Sequence, residues 1–468
     1  MFFRQLYDER LAQASYLIAC QATGEAVVID PNRDIERYLG LAERYGFRLT
    51  AVTETHIHAD FVSGARELAR RAGARLFLSG AGSAEWQYEY AEREGAVLLT
   101  DGSSFTVGNL RFEALHTPGH TPEHLSFILT DEARAREPVG IFTGDFVFVG
   151  DVGRPDLLER AVGITGAAAE GARQLFRSLV RFRSLPDHLQ VWPGHGAGSA
   201  CGRALGAMPQ STVGYERRFN WAFRIEDEEE FVRAALDGQP DSPPYFAEMK
   251  RMNRSGPAFT AELPRVEKFD LERLSDVLGD WIVIDTRRAE EYARGHIPGT
   301  INLPFDRSFV AWAGWLLPYD KKLGLIVEDD QIHRAVLALR LIGLDRVAGF
   351  WSPTTIGEWE ARKGNLRRIE RVDADQAQRM VERGAVHVLD VRRPDERAHG
   401  RIAGSLHVPF SELIKGEVEL PTDEPLLVHC QTGARSALAV GLLSARGVSD
   451  LIDLEGGFAA WRRRFGEN

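Results

Sequence analysis

Cysteine is scarce in this chain: three in 468 residues, at Cys20, Cys201 and Cys430. So few, so far apart, are no disulfide framework, and they suit a reducing compartment. Long apolar runs are missing as well. None approaches the roughly 20 residues that a membrane span needs, and the stretch from Met1 to Ala19 mixes charges with apolar residues, unlike the apolar core of a secretory signal. The expected location is the cytoplasm. There is no excess of basic charge. A formal net charge of −11 argues against a general binder of nucleic acid or anionic membranes. What is present, 44% hydrophobic and 27% charged residues, is the composition of a soluble globular protein, and the length suggests roughly three domains.

Residues 1 to about 235 alternate short β-like runs (Ala26 to Ile29, Ala96 to Leu99, Ser126 to Leu129, Gly140 to Phe142) with amphipathic helical stretches, Ile35 to Tyr45 and Gly64 to Arg71. From Asp237 to Pro257 the chain is rich in turn formers, and Pro240, Pro243, Pro244 and Pro257 predict a linker or extended arm. A repeat follows. Val283-Ile284-Asp285-Thr286-Arg287-Arg288 recurs as Val388-Leu389-Asp390-Val391-Arg392-Arg393. Gly295-His296-Ile297-Pro298-Gly299-Thr300 recurs as Gly400-Arg401-Ile402-Ala403-Gly404-Ser405, and Leu303-Pro304-Phe305 as Val408-Pro409-Phe410. The offset is 105 residues each time. A period of that size is a duplicated domain rather than a solenoid. Three domains are expected: residues 1–260, including an arm from about 236, then 261–366 and 367–468. Each repeat should be a small α/β unit with a parallel sheet.

Chemistry concentrates at strand-to-loop junctions. After the apolar run Leu49 to Val52 come His56-Ile57-His58-Ala59-Asp60-Phe61. Further on stand His116-Thr117-Pro118-Gly119-His120-Thr121, then Thr143-Gly144-Asp145, then Trp192-Pro193-Gly194-His195-Gly196. Isolated histidines are ordinary residues. Six metal-capable side chains, His56, His58, Asp60, His120, Asp145 and His195, all at such junctions, predict a metal site.

In order and spacing these motifs resemble the metallo-β-lactamase superfamily. Thr55 to Asp60, Thr117 to Thr121, Thr143 to Asp145 and Gly153-Arg154-Pro155-Asp156 are most similar to its persulfide dioxygenases. The resemblance implies an αββα sandwich and one Fe(II) per chain, held by His56, His120 and Asp145. Two histidines and a carboxylate leave open positions for O₂ and substrate. A hydrolase uses a Lewis-acid metal instead, usually zinc. Phe61 cannot ligate, which removes an expected partner of a second metal. His58, Asp60 and His195 are then expected behind the ligands, orienting them or bound water. Arg154 is the expected contact for a carboxylate of a glutathione-like thiol; the alternative is a salt-bridged arginine.

The apolar strand Leu426-Leu427-Val428 runs into His429-Cys430-Gln431-Thr432-Gly433-Ala434-Arg435-Ser436 and a helical segment. Backbone N–H groups at a helix N-terminus stabilise a thiolate, Arg435 adds positive charge, and Gly433 lets the loop bend. This segment resembles the active-site loop of rhodanese sulfurtransferases, with Asp390-Val391-Arg392 and Gly456-Gly457-Phe458 as supporting pieces. The resemblance implies a persulfide carried on Cys430 and cradled by Gln431, Thr432, Gly433 and Ala434. In the first repeat the strand Leu325-Ile326-Val327 runs into Glu328-Asp329-Asp330, without a cysteine. That repeat is expected to be inactive, a spacer or a homo-oligomer interface. Trp312, Trp315, Leu316 and Leu317 could serve such an interface or the core.

Together these readings predict oxidation of a thiol persulfide (of glutathione or coenzyme A type) by O₂ to sulfite, joined to sulfur transfer through Cys430 that makes or uses thiosulfate, in sulfide detoxification. Two alternatives stay open. One is a zinc-dependent thioester hydrolase of the glyoxalase II type; the other is a sulfur carrier or redox sensor with a structural metal.

Overall fold

A computed structural model of the chain describes residues 1–157, 159, 166–203, 205–239, 241–421 and 423–466; Pro240, one of the prolines assigned to the arm, lies outside them. The chain divides into two units, Met1–Leu263 with Leu337–Gly343, and Pro264–Val336 with Leu344–Asn468. No helix among the described residues is long and apolar enough to cross a membrane.

Two six-stranded sheets face each other in the first unit. One runs in chain order through Phe2–Asp8, Gln13–Cys20, Glu25–Ile29, Arg48–Thr53, Arg75–Ser79 and Val97–Leu99. The other is ordered Ser211–Thr212, Gln190–Pro193, Gly140–Gly144, Leu125–Asp131, Leu110–His116, Ser104–Val107. Strand Gln13–Cys20 shows why the sandwich forms. All its residues are buried, with Tyr16 and Ile18 in the core between the sheets and Leu17 and Ala19 beneath helices. A strand covered on both faces must be apolar throughout, with successive side chains to opposite sides. Helices Glu36–Arg44 and Ala65–Ala72 cover the first sheet, and Ala167–Arg183 and Glu228–Leu236 the second. The expected αββα architecture is what the chain adopts.

The layering places the site. Arg48–Thr53 is parallel to Glu25–Ile29, and Gly140–Gly144 to Gln190–Pro193. Carboxyl ends of parallel strands point to one sheet edge, and the loops bearing His56, Asp145 and His195 begin there. Residues read as an arm contain a helix, Phe246–Ser255, which buries Phe246, Met249 and Asn253. Spacings of three and four put these on one face, and Gly256 (φ 94°) ends the helix. Flanking prolines hid that pattern.

In the second unit both repeats form five-stranded, all-parallel sheets of the same order. The first is Glu267–Lys268, Val347–Trp351, Leu323–Ile326, Ile282–Asp285, Ile301–Asn302. The second is Glu370–Val372, Leu451–Leu454, Leu426–His429, His387–Asp390, Leu406–His407. Register corrects the sequence pairing. Asp285 lies opposite Ile326, as Asp390 lies opposite His429. Val327 therefore matches Cys430, where matching strand Leu325-Ile326-Val327 to Leu426-Leu427-Val428 put Asp329.

The repeats touch through the helix that follows the cysteine loop, Ala434–Ala445. Ser444 Oγ is 2.9 Å from His296 Nε2, and Arg367, at the start of the second repeat, exchanges backbone hydrogen bonds with His296 while donating to the Ser444 carbonyl. A Cβ on Gly441 would come within 3.2 Å of Asn302 Cβ, a tight contact that glycine avoids. Trp312 meets Phe410 edge-on, with ring centroids 5.4 Å apart. The apolar cluster around Trp312 thus packs within the unit, with Leu316 and Leu317 buried.

Candidate metal centre and sulfur-transfer loop

Thr55 Oγ1 donates to Asp30 Oδ2 at 3.0 Å, so the same hydroxyl accepts from His56 Nδ1–H at 2.9 Å. His120 Nδ1 donates to the Arg154 carbonyl at 3.1 Å, and His195 Nδ1 to the Ala12 carbonyl at 3.0 Å. A carbonyl only accepts, so His120 and His195 carry a proton on Nδ1, and the neutral rings of His56 and His120 present a bare Nε2. The three Nε2 atoms converge on Asp145. Those of His56 and His120 lie 3.9 and 3.6 Å from Oδ2, and that of His195 3.4 Å from Oδ1. Among the described residues, neither carboxylate oxygen of Asp145 has a hydrogen-bond partner, nor does His56 Nε2. Lone pairs facing one another in a buried space repel unless a cation lies among them. The donor atoms of His56, His120 and Asp145 all lie within 4.8 Å of one another. One ion with ligand bonds of about 2.0–2.2 Å can reach all three.

The electrostatics agree with that use. Burial pushes His56 well below its ordinary pKa, helped by the neighbouring His58. Burial also lowers His120, although Asp145 opposes it. Both rings are neutral, as ligands must be. Burial works against charge on His195 too, but Asp145 and Asp60 outweigh it and raise its pKa. Burial and the charge of Asp145 raise Asp60. Space around Asp145 is made by glycines. A Cβ on Gly194 would lie 2.6 Å from Asp145 Oδ1, and one on Gly153 1.8 Å from Asp145 O.

His58 turns away from this cluster. Its Nε2 lies 3.1 Å from Asp30 Oδ1; despite burial, Asp30 and then Glu54 lift its pKa to about 9. Asp60 lies 3.3 Å from His195 Nε2. Asp60, His195 and Cys201 form a second group whose donor atoms lie within 4.8 Å of one another. Phe61 is fully buried, its ring 4.4 Å from that of His58. Arg154 departs from expectation. Its guanidinium donates to both oxygens of Asp156, at 3.0 and 2.7 Å, and to the Ala200 carbonyl at 3.2 Å, and it is only 1% exposed. The fork offered to a substrate carboxylate is closed on an internal one.

Cys430 leaves the end of strand Leu426–His429 and is fully buried. Gly433, at φ 101°, turns the chain so that its N–H donates to Cys430 Sγ at 3.1 Å. The carbonyls of Cys430 and Gln431 accept from Phe458 and Ala459 N–H at 2.7 and 2.9 Å, which ties them to the N-terminus of helix Gly457–Phe465. Gly457 must be glycine: its φ is 59°, and a Cβ there would lie 2.5 Å from Cys430 O. Gln431 is held by Arg392 at 3.3 Å. Arg435, expected to lend the loop a positive charge, is paired with Glu396 through bonds of 2.7 and 2.5 Å. Its charge is therefore largely balanced.

The family model described as Metallo-beta-lactamase superfamily matches residues 8–195, and that of the Rhodanese-like domain matches 270–353 and 373–464. A solved metallo-beta-lactamase from Staphylococcus aureus subsp. aureus COL is 42% identical, with a TM-score of 0.68, over 75% of this chain and 99% of its own. The chain belongs to the metallo-beta-lactamase superfamily. Among relatives in this superfamily, the mitochondrial persulfide dioxygenase ETHE1 of Bos taurus is 27% identical over 238 residues, 50% of this chain and 80% of its own length. The probable polyketide biosynthesis zinc-dependent hydrolase BaeB of Bacillus velezensis is 27% identical over 227 residues, 48% of this chain and 88% of its own.

Several residues serving this metallo-beta-lactamase site escaped the sequence reading. His124 Nε2 accepts from Asp145 N–H at 3.1 Å, fixing the carboxylate's backbone. Asn253 donates to the carbonyls of His58 and Phe61 and accepts from Ser63 N–H, all within 2.8 Å. Asp30 holds both Thr55 and His58. Nothing local marks Asn253 or Cys201. The Arg154–Asp156 pair did have a signal: the same two-residue spacing joins Asp285 to Arg287 and Asp390 to Arg392.

Proposed function

We propose that the chain is an iron-dependent persulfide dioxygenase that also carries a sulfurtransferase. The observation that carries the reading is the set of two histidines and one carboxylate with converging, unpartnered atoms, in a chain that also holds Cys430 in a rhodanese-like loop. Similarity to a persulfide dioxygenase supports it. The overall reaction takes one thiol persulfide, one O₂ and one water to one thiol, one sulfite and two protons; the sulfane sulfur is oxidised and O₂ reduced. An Fe(II) ion held by His56, His120 and Asp145 would supply the redox chemistry toward O₂ and open positions for the persulfide sulfur. Thr55 and the carbonyl of Arg154 keep the ligand protons on Nδ1, and His124 keeps Asp145 in place. Phe61 fills the space beside His58 and Asp60.

At the second centre, Cys430 thiolate attacks the outer sulfur of a donor. The donor's S–S bond breaks as the new one forms, and the thiolate or sulfite leaves with its electron pair. The Gly433 N–H stabilises the anionic sulfur before attack. Passing the sulfur to sulfite gives thiosulfate. Sharing a chain raises the effective concentration of each activity for the other.

The second reading is a zinc-dependent thioester hydrolase, favoured by the Asp60–His195–Cys201 group. Metal analysis after anaerobic purification, followed by O₂ uptake with glutathione persulfide, separates the two. One iron per chain with uptake is expected. Two zincs, and thioester turnover without O₂ uptake, would overturn the dioxygenase reading.

A further inference from the structure

The repeat that lacks a cysteine does not stand aside from the one that has it. A cavity of about 330 Å³ is walled on one side by Thr432, Gly433 and Ala434 of the Cys430 loop and on the other by Arg288, Asp306 and Trp312 of the first repeat. Gly433, whose N–H meets the fully buried Cys430 Sγ at 3.1 Å, is the lining residue that links this cavity to the thiol. Its volume is at the lower end of small-molecule sites, about 300–1,000 Å³, and larger than a bare sulfur oxoanion requires.

The lining has a usable polarity. Arg371 is occupied, with Glu290, Asp453 and Glu455 each 3.4 Å from its guanidinium. Arg288 is exposed to solvent and has no side-chain hydrogen bond or ion pair among the described residues. Asp306 accepts from Ser308 N–H and keeps its second oxygen for a donor. Trp312, held edge-on by Phe410, offers an apolar wall. A free guanidinium, a carboxylate and an indole together match a molecule with its own carboxylate, an ammonium or amide N–H, and an aliphatic body. Arg288 is the repeat counterpart of Arg393, which is instead committed to Asp395 at 2.9 Å.

We propose that the first repeat reads the thiol that carries the sulfur: Arg288 binds the carboxylate of a small amino-acid-type or peptide-type thiol persulfide, and Trp312 its aliphatic part, while Cys430 takes the outer sulfur. The inference rests on the sulfurtransferase reading of Cys430 and deepens it by naming a substrate class. Arg288 is a specificity residue, and the transfer itself is unchanged. The donor's S–S bond breaks, the Cys430 S–S bond forms, and the thiolate departs.

The test uses the full chain without O₂, so that only transfer is seen, with cyanide as acceptor and thiocyanate as readout. Two donors are compared: glutathione persulfide, which has carboxylates, and 2-mercaptoethanol persulfide, which has none. For Arg288→Ala the ratio of kcat/KM between the first and second donor should fall about tenfold, the loss expected for one charge-assisted contact, mainly through KM. Arg288→Lys should recover part of it. An unchanged ratio, or equal losses with both donors, would overturn the inference while leaving Cys430 transfer standing. No Cys430-dependent transfer from any donor in the unaltered protein would instead overturn the sulfurtransferase reading beneath it.

Discussion

His120 Nδ1 and the carbonyl oxygen of Arg154 are 3.1 Å apart, and the side chain of that same Arg154 is clamped on Asp156. The arginine therefore acts on the metal centre through its backbone. Arg154→Met should loosen the carbonyl and lower metal affinity by roughly 10–100-fold, as losses of ligand-orienting contacts do. Competition against a chelator measures this. If Arg154 instead met a substrate carboxylate, KM for carboxylate-bearing substrates alone would rise and metal affinity would hold.

Phe61 occupies a place where a ligand could stand, beside Asp60 and 4.4 Å from the His58 ring. Phe61→His should let Asp60, His195 and the new imidazole hold a second ion. Metal content per chain should rise from one to two on reconstitution with zinc, and a content that stays at one would count against this account of Phe61.

The sequence exposed much of this centre because each ligand sits at the end of an apolar strand, where motif and strand end are neighbours. His56, His120 and Asp145 were legible for that reason, and so was the duplication. Distance in sequence concealed the rest. Asn253 reaches the His58 loop from a helix framed by prolines. Cys201 joins Asp60 and His195 only through folding. Val327 could be matched to Cys430 only from the pairing of Asp285 with Ile326, because the segment before the strand is two residues shorter in the second repeat, which shifts the offset from 105 to 103.

Gly457 fixes the sulfur loop from behind. In Gly457→Val the Cβ would meet Cys430 O and Gln431 C at 2.5 and 2.9 Å. Overpacking of this kind costs about 1–3 kcal/mol, and here it displaces the loop that holds Sγ. Thiosulfate:cyanide transfer should fall at least tenfold, while metal content in the N-terminal domain stays unchanged. Thiocyanate formation and metal analysis on one preparation check both halves.

Acid should weaken the second unit. Burial lowers His296 and His429 from 6.5 to about 4. Above pH 6.5 neither the folded nor the unfolded chain protonates them. Between 6.5 and 4 the unfolded chain takes up protons that the folded one refuses, so stability falls with pH and levels off below 4. Each histidine accounts for roughly 3 kcal/mol over that window, at 1.36 kcal/mol per pKa unit. Thermal unfolding recorded from pH 7 to 4.5 should show the decline, and His296→Gln should remove about half of it.

Gly441 lies against Asn302, and His296 against Ser444. The helix behind the cysteine loop is thus covered on one side by its sister copy. The copy without a cysteine therefore serves the other through its shape. A gene fragment starting near residue 367 would encode every reacting atom of the proposed sulfur-transfer centre and still leave one side of that helix bare.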